Sequence, residues 1–297
     1  MSVELRDTTA SDAPAIKELL EEHAVASFGE PELSEDEIRS WFEMPRLWIQ
    51  LAQRDGEPVG YLDVGREDDG THFNVDARTL DAEAASLLVA AAEEHARAQA
   101  EKPILRGFVQ GDEPILRDVY AAAGWRPIRY SFQMRIDLDR EIPAPTWPDG
   151  LEPRNFEPRE DERVYEAHMD SFSDHWDFRR QSMEEWRRYT VDHHGFDPSL
   201  WWLVEDGQEL AAISLNAWHF SGDPQYGWVH VLGVRRPWRK RGLATALLRH
   251  SFRDFQARRA TRVGLGVDGE NTTGAVRLYE KVGMRQVRRN DTYEKKL

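Results

Sequence analysis

The chain has 297 residues, 40% hydrophobic and 31% charged, which is room for two ordinary cores. No apolar run approaches the ~20 residues that a membrane span needs. The net charge is −15 and cysteine is absent, which excludes a disulfide scaffold, thiolate metal sites and a cysteine nucleophile.

The N-terminal stretch MSVELRDTTA lacks the basic-then-apolar layout of a secretory signal, so the expected location is cytoplasmic. Charge is uneven along the chain. Residues 1–148 hold 30 acidic and 15 basic side chains, and residues 149–297 hold 24 of each. The whole acidic excess therefore lies in the first half, which argues against nucleic acid and membrane as partners. A site that handles an anion belongs in the second half.

In chain order, VELRDTTASDAPAIKELLEE (3–22) reads as a short strand and an acidic helix. Leu87 and Leu88 mark a later helix, KPILRGF (102–108) a strand, and VYAAAGWRPIRY (119–130) a helix end. The last phrase returns as LYEKVGMRQVRR (278–289), and from Tyr120 to Tyr279 the offset is 159 residues. Carried backward, that offset pairs 102–108 with TRVGLGV (261–267), and Leu88 with Leu247. The second half also opens like the first, with GLEPRNFEPREDERVYEAHM (150–169). A period far above the ~20–50 residues of a solenoid means two copies of one fold. The expected domains are 1–140 and 150–297, with 141–149 as a linker extended by Pro143, Pro145 and Pro148.

The second half reads as strand ~151–156, helices ~160–172 and ~181–191, and strands ~200–205, ~210–219 and ~226–234. A helix from ~241, a strand ~261–267, a helix ~273–282 and a final strand pair around 285–296 follow. The expected class is mixed α/β.

One helix start is unusual. Leu243, Leu247, Leu248, Phe252 and Phe255 form a helical stripe, yet the entry to that helix is Arg239, Lys240, Arg241. The first turn already carries the positive dipole end and unpaired N–H groups. A strand, a basic turn with Gly242 and a helix N-terminus together describe an anion site, best suited to phosphate. Neither the nucleotide-triphosphate loop nor the dinucleotide fingerprint fits its spacing.

Arg-x-x-Gly-x-Ala after an apolar strand resembles the acyl-CoA pyrophosphate loop of the GNAT superfamily of N-acetyltransferases. VDGENTTGAVRLYEKVGM (267–284) is similar to that family's other recurring segment. The resemblance covers 150–297 well and 1–140 in outline. It implies two tandem GNAT-like domains, each a mixed, mostly antiparallel sheet flanked by helices, with acetyl-CoA as donor. By the resemblance, Arg239, Lys240, Arg241, Gly242, Leu243, Ala244 and Thr245 cradle the pyrophosphate. The backbone of Leu232, Gly233 and Val234 pairs with the pantetheine arm, Asn271 contacts the cofactor and Tyr279 is the proton donor. The implied activity is transfer of an acetyl group to a small-molecule amine by a monomer or homodimer.

A phenol near ~10 can protonate a thiolate near ~8.5, and a neutral amine must attack the thioester. His230, on the strand beside the thioester, is the candidate base; alternation puts it on one face with Leu232 and Val234. In the acceptor region, 169–189, Asp170, Phe172, His175 and Trp176 are candidates for binding a cationic amine. His175, His193 and His194 lack metal-site spacing, so no metal is expected.

By the repeat offset the basic loop falls on LDAEAA (80–85), where Asp81 and Glu83 satisfy the dipole and repel phosphate. Residues 1–140 therefore read as a degenerate copy. The plan is similar to that of mycothiol synthase, a two-copy member of the superfamily, although nothing in the acceptor region identifies its substrate. A non-catalytic acyl-CoA-binding regulator is the alternative of another class.

Overall fold

Leu243, Leu247, Leu248, Phe252 and Phe255 are all at most 1% exposed in the computed structural model, so the stripe read from sequence is a core face. Residues 2–148, 150–271 and 274–297 are described; Asp149 of the expected linker and Thr272 and Thr273 of the second motif lie outside them. The described chain forms two compact units, 1–132 with 220–222 and 288–297, and 133–219 with 223–287.

The first copy contributes β1 (Glu4–Asp7), α1 (Ala13–Phe28), α2 (Glu35–Trp41), β2 (Leu47–Arg54), β3 (Glu57–Arg66) and β4 (His72–Arg78). It continues with α3 (Ala82–Gln99), β5 (Ile104–Gln110), α4 (Pro114–Ala122) and β6 (Arg126–Asp137). The second copy contributes β7 (Pro153–Asn155), α5 (Asp161–Phe172), α6 (Met183–Arg188), β8 (Trp201–Asp206), β9 (Glu209–Trp218) and β10 (Tyr226–Val234). It ends with α7 (Leu243–Ala257), β11 (Arg262–Asp268), α8 (Ala275–Lys281) and β12 (Arg285–Lys296).

Within the first unit the strand order is β1-β2-β3-β4-β5-β12, and within the second it is β6-β11-β10-β9-β8-β7. The registered pairs are antiparallel apart from β4–β5 and β10–β11. Each unit is thus the mixed, mostly antiparallel α/β arrangement expected.

In the second unit, one sheet face carries α5 and α6 through Val164, Met169, Trp186, Leu203, Ile213 and Val231. The other carries α7 through Leu243 and Leu247 against Val204 and Ala212. Burying such side chains contributes roughly 1.5–3 kcal/mol each. Gly227 lets α7 come close, because a Cβ there would sit 2.6 Å from the Phe255 ring.

The units divide differently from a cut at 140 and 150. Residues 288–297 fold with the first unit, where β12 pairs with β5 from Asn290 opposite Gln110 to Lys296 opposite Ile104. Lys295 donates to Glu93 at 2.6 Å and to the Ala123 carbonyl at 2.7 Å, and Trp125 donates to the same carboxylate at 2.9 Å. Residues from Gln133 belong to the second unit, where β6 neighbours β11. The expected final strand pair is one continuous strand, 285–296. The Pro-rich segment is irregular but tied down. Ile142 is 2% exposed, Arg253 donates to its carbonyl, and Gln256 donates to the carbonyls of Leu138 and Arg140, each at 2.9 Å.

Gly227→Ala is expected to cost about 1–3 kcal/mol through overpacking against Phe255, read by denaturant unfolding. Wild-type stability in that variant would mean α7 is not seated so closely on β10.

Candidate active site

The ladder of β10 with β11 covers Tyr226–Trp228 against Arg262–Gly264, while its ladder with β9 continues to Val234. Past Trp228 the two parallel strands part. Among the described residues, the β11-facing edge of Leu232, Gly233 and Val234 has no registered strand partner.

A β-bulge between Val229 and Val231 marks the parting, and His230 is the skipped residue. The bulge breaks the alternation expected along β10. Val231 packs with α5, whereas Leu232 packs with Leu243 and Leu247 of α7. His230 is exposed rather than buried in a core face, and its charge acts on His168 of α5. His219 is different: 4% exposed, it stacks on Tyr226 at 4.2 Å.

The turn after β10 makes the helix start. Lys240 has φ 63° and Gly242 φ 92°, both left-handed. Only glycine adopts such a conformation without strain. The first helical bond of this turn runs from Ala246 N–H to the Gly242 carbonyl at 3.0 Å. The N–H groups of Leu243, Ala244 and Thr245 precede it, and the Gly242 N-cap supplies no side-chain acceptor for them. A Cβ on Gly242 would meet nothing within 4 Å among the described residues, so they leave space before those donors. Lys240 and Arg241 are exposed beside it.

Arg239 departs from its expected role. Its guanidinium donates to the carbonyls of Val234 and Ser171 at 3.0 Å each, and to Asp174 at 2.7 Å. It braces the end of β10 against the end of α5. Arg236 joins it on Asp174, and hydrogen bonds from these two arginines lower that carboxyl to about 2. Asp170 is also engaged, 2.8 Å from Arg235. This carboxylate neutralises an arginine rather than standing free for an ammonium.

The same place in the first unit is sealed. Asp81 caps α3 by accepting from the N–H groups of Glu83 and Ala84 at 3.0 Å each, and Arg54 bridges Asp81 and Glu83. The donors that stand open in α7 are consumed there. Tyr120 lies against Gly107, where a Cβ would collide with its hydroxyl and ring. At the offset position, a Cβ on Gly266 would meet nothing within 4 Å among the described residues, so Tyr279 does not lie on Gly266 as Tyr120 lies on Gly107.

Tyr279 is 8% exposed on α8, and burial pushes its phenol up to about 12. Gly283, at the end of that helix, has φ 97° and supplies a left-handed stop. Asn271 closes the turn after β11 by donating its N–H to the Asp268 carbonyl at 3.2 Å.

On the acceptor side, Phe172 meets the His168 ring edge-on at 4.8 Å and His175 at 4.3 Å. Trp176 is 45% exposed, and Trp186 is 1% exposed, a core residue. His168 was not singled out in the sequence. Its signal was the spacing of His168 and Phe172 at i and i+4, which places both on one face of α5; His175 follows in the bend after the helix.

A sheet parted beside a strand–turn–helix with open amides, in a chain built twice on the same plan, defines the tandem GNAT acetyltransferase fold. Residues 161–284 match the Acetyltransferase (GNAT) family model and form a GNAT acetyltransferase domain. The chain is similar to mycothiol acetyltransferases from Thermobispora bispora (32% identical over 191 residues) and Acidothermus cellulolyticus (30% over 194 residues). These alignments take in 60% and 61% of this chain, and 61% and 59% of the relatives' length. Among solved structures, a GCN5-related N-acetyltransferase from Sphaerobacter thermophilus has a TM-score of 0.84 at 28% identity, covering 99% of this chain and 95% of that one. A tandem GNAT protein from the clavulanic acid biosynthesis pathway shares the fold, with a TM-score of 0.77 at 17% identity over 99% and 98% of the two chains.

Among the described residues, no helix is long and apolar enough to cross a membrane. Spectrophotometric alkaline titration should show one phenol, absent in Tyr279→Phe, that ionises near 12. A Tyr279 that ionises near ~10 would mean its ring is solvated.

Proposed function

We propose that the protein is a cytoplasmic N-acetyltransferase that moves an acetyl group from acetyl-CoA to a primary amine of a small molecule. The observation that carries this reading is the pair of helix starts. The amides at α7 are open and flanked by Lys240 and Arg241, while those at α3 are capped by Asp81. One binding-competent copy is joined to one sealed copy.

The N–H groups from Gly242 to Thr245, with Lys240 and Arg241, hold the pyrophosphate of the donor. The free β10 edge at Leu232, Gly233 and Val234 pairs with the pantetheine arm. The thioester then lies where β10 and β11 part, beside His230. His230 takes a proton from the incoming ammonium, directly or through water, and the neutral amine attacks the carbonyl. Tyr279 gives its proton to the departing thiolate; a phenol held at about 12 remains protonated across the neutral and mildly alkaline range. Holding both substrates together supplies much of the acceleration, with no acyl-enzyme.

The relatives named mycothiol acetyltransferase support a narrower reading, in which the amine belongs to a mycothiol precursor.

Calorimetric titration with acetyl-CoA should give one site per chain, lost in Gly242→Glu. Two sites would overturn the sealed first copy, and none would overturn the acyltransferase reading. Tyr279→Phe should lower kcat by roughly 10²-fold or more with CoA affinity unchanged. Because the acid's pKa is raised, the wild-type rate should show no alkaline loss assignable to Tyr279 until the pH nears 12. An unchanged kcat in Tyr279→Phe would remove it from the proton path.

A further inference from the structure

His168 sits on the acceptor side and takes no part in the proton transfers assigned above. Its Nδ1 accepts a hydrogen bond from Trp186 Nε1–H at 3.0 Å. An indole nitrogen only donates, so Nδ1 carries no proton. The neutral ring must then carry its proton on Nε2. Trp186 cannot turn away to release this choice, since it is 1% exposed and packed edge-on against Tyr165 and Trp201. Burial first, and then the charges of His230 and His175, hold His168 down to about 4, so the ring is neutral at pH 7.

Nε2 lies across the ring from Nδ1 and therefore points away from Trp186. Among the described residues, Trp186 is the hydrogen-bond partner of this ring, and no acceptor takes the Nε2 proton. The groups that act on it electrostatically are His230, on the bulge where β10 leaves β11, and His175, in the bend that follows α5. His168 precedes Ser171 by three residues on α5, and the Ser171 side chain would meet a Cβ on Gly233 of β10 at 3.0 Å, so the ring stands on the helix packed against the β10 edge.

We infer that His168 is a tautomer-locked hydrogen-bond donor to the acceptor substrate, selecting amines that carry a hydroxyl, ether or carbonyl oxygen near the reacting nitrogen over purely aliphatic di- and polyamines. This rests on the acetyltransferase reading. The physical basis is an asymmetry of unmade bonds. An oxygen replaces the water on Nε2–H, whereas an alkyl chain strips that water and an ammonium opposes donor to donor. His168 is not the base, because accepting a proton at Nδ1 would break the bond to Trp186.

The test uses the full chain with saturating acetyl-CoA and two sets of amines, glucosamine, serinamide and cysteinamide against butylamine, 1,4-diaminobutane and spermidine. Turnover should favour the oxygen-bearing set by about 10-fold in kcat/KM, the order that one hydrogen bond to a buried donor is worth. His168→Phe should raise their KM by a similar factor, leave kcat and the pH profile nearly unchanged, and erase the preference. Equal turnover of both sets, or a His168→Phe effect confined to kcat with loss of a pH limb, would overturn the inference.

A spectroscopic arm stands apart from activity. In histidine labelled with nitrogen-15, His168 should show a bare Nδ1 and a protonated Nε2 that do not titrate near pH 7. The Nε2 signal should move on adding the oxygen-bearing amines and stay put with butylamine. If no amine is acetylated, the functional reading fails alone and this signal still decides. An Nδ1–H tautomer, or an Nε2 signal indifferent to every amine, would overturn the inference.

Discussion

Two parallel strands that pair for three residues and then part set the terms for everything else in the second unit. Past Trp228 and Gly264 the β10 edge loses its β11 partner, while its ladder with β9 runs on to Val234. Such an edge is stable only if something else seats it, and β9 and the Arg239 brace do so from the other side. The bulge at His230 follows from the same parting, because it turns Val231 toward α5 and Leu232 toward α7. The open amides at α7 then lie where the strand delivers them.

The two copies show that fold and site are separable. Both have a strand feeding a long helix and a tyrosine near the following helix end. One aspartate at the N-cap of α3 and one arginine reaching it from β2 are enough to convert an open donor cluster into a closed one. Tyr120 completes the closure by lying on Gly107. The sheet is indifferent to these changes, because Val75, Leu88 and Leu105 keep the core that the fold needs.

What could be read in the sequence was local. The bounds of β10 and the buried stripe of α7 follow from short-range periodicity, and Asp81 declares itself as a cap from its position alone. What could not be read depends on partners far along the chain. Arg239 looks like an anion ligand until Ser171 and Asp174, more than sixty residues earlier, are seen to hold it. A bulge leaves no periodic mark, so the facing of His230 was hidden. Asp170 looked free for an amine because its partner, Arg235, lies across the fold. The lock on His168 depends on Trp186, which sequence places only as another aromatic.

The closing strands have a bearing on how such a chain can change. Residues 288–297 complete the sheet of the first unit, and residues from Gln133 open that of the second. Neither copy is therefore a contiguous stretch of polypeptide that could be lost or transplanted by a single cut. Severing the chain in 141–149 would strand the last ten residues with the wrong fragment. A copy bound in this way is not free to disappear, whatever becomes of its helix start. The first unit, with α3 capped by Asp81, is then a frame that the topology of the chain retains.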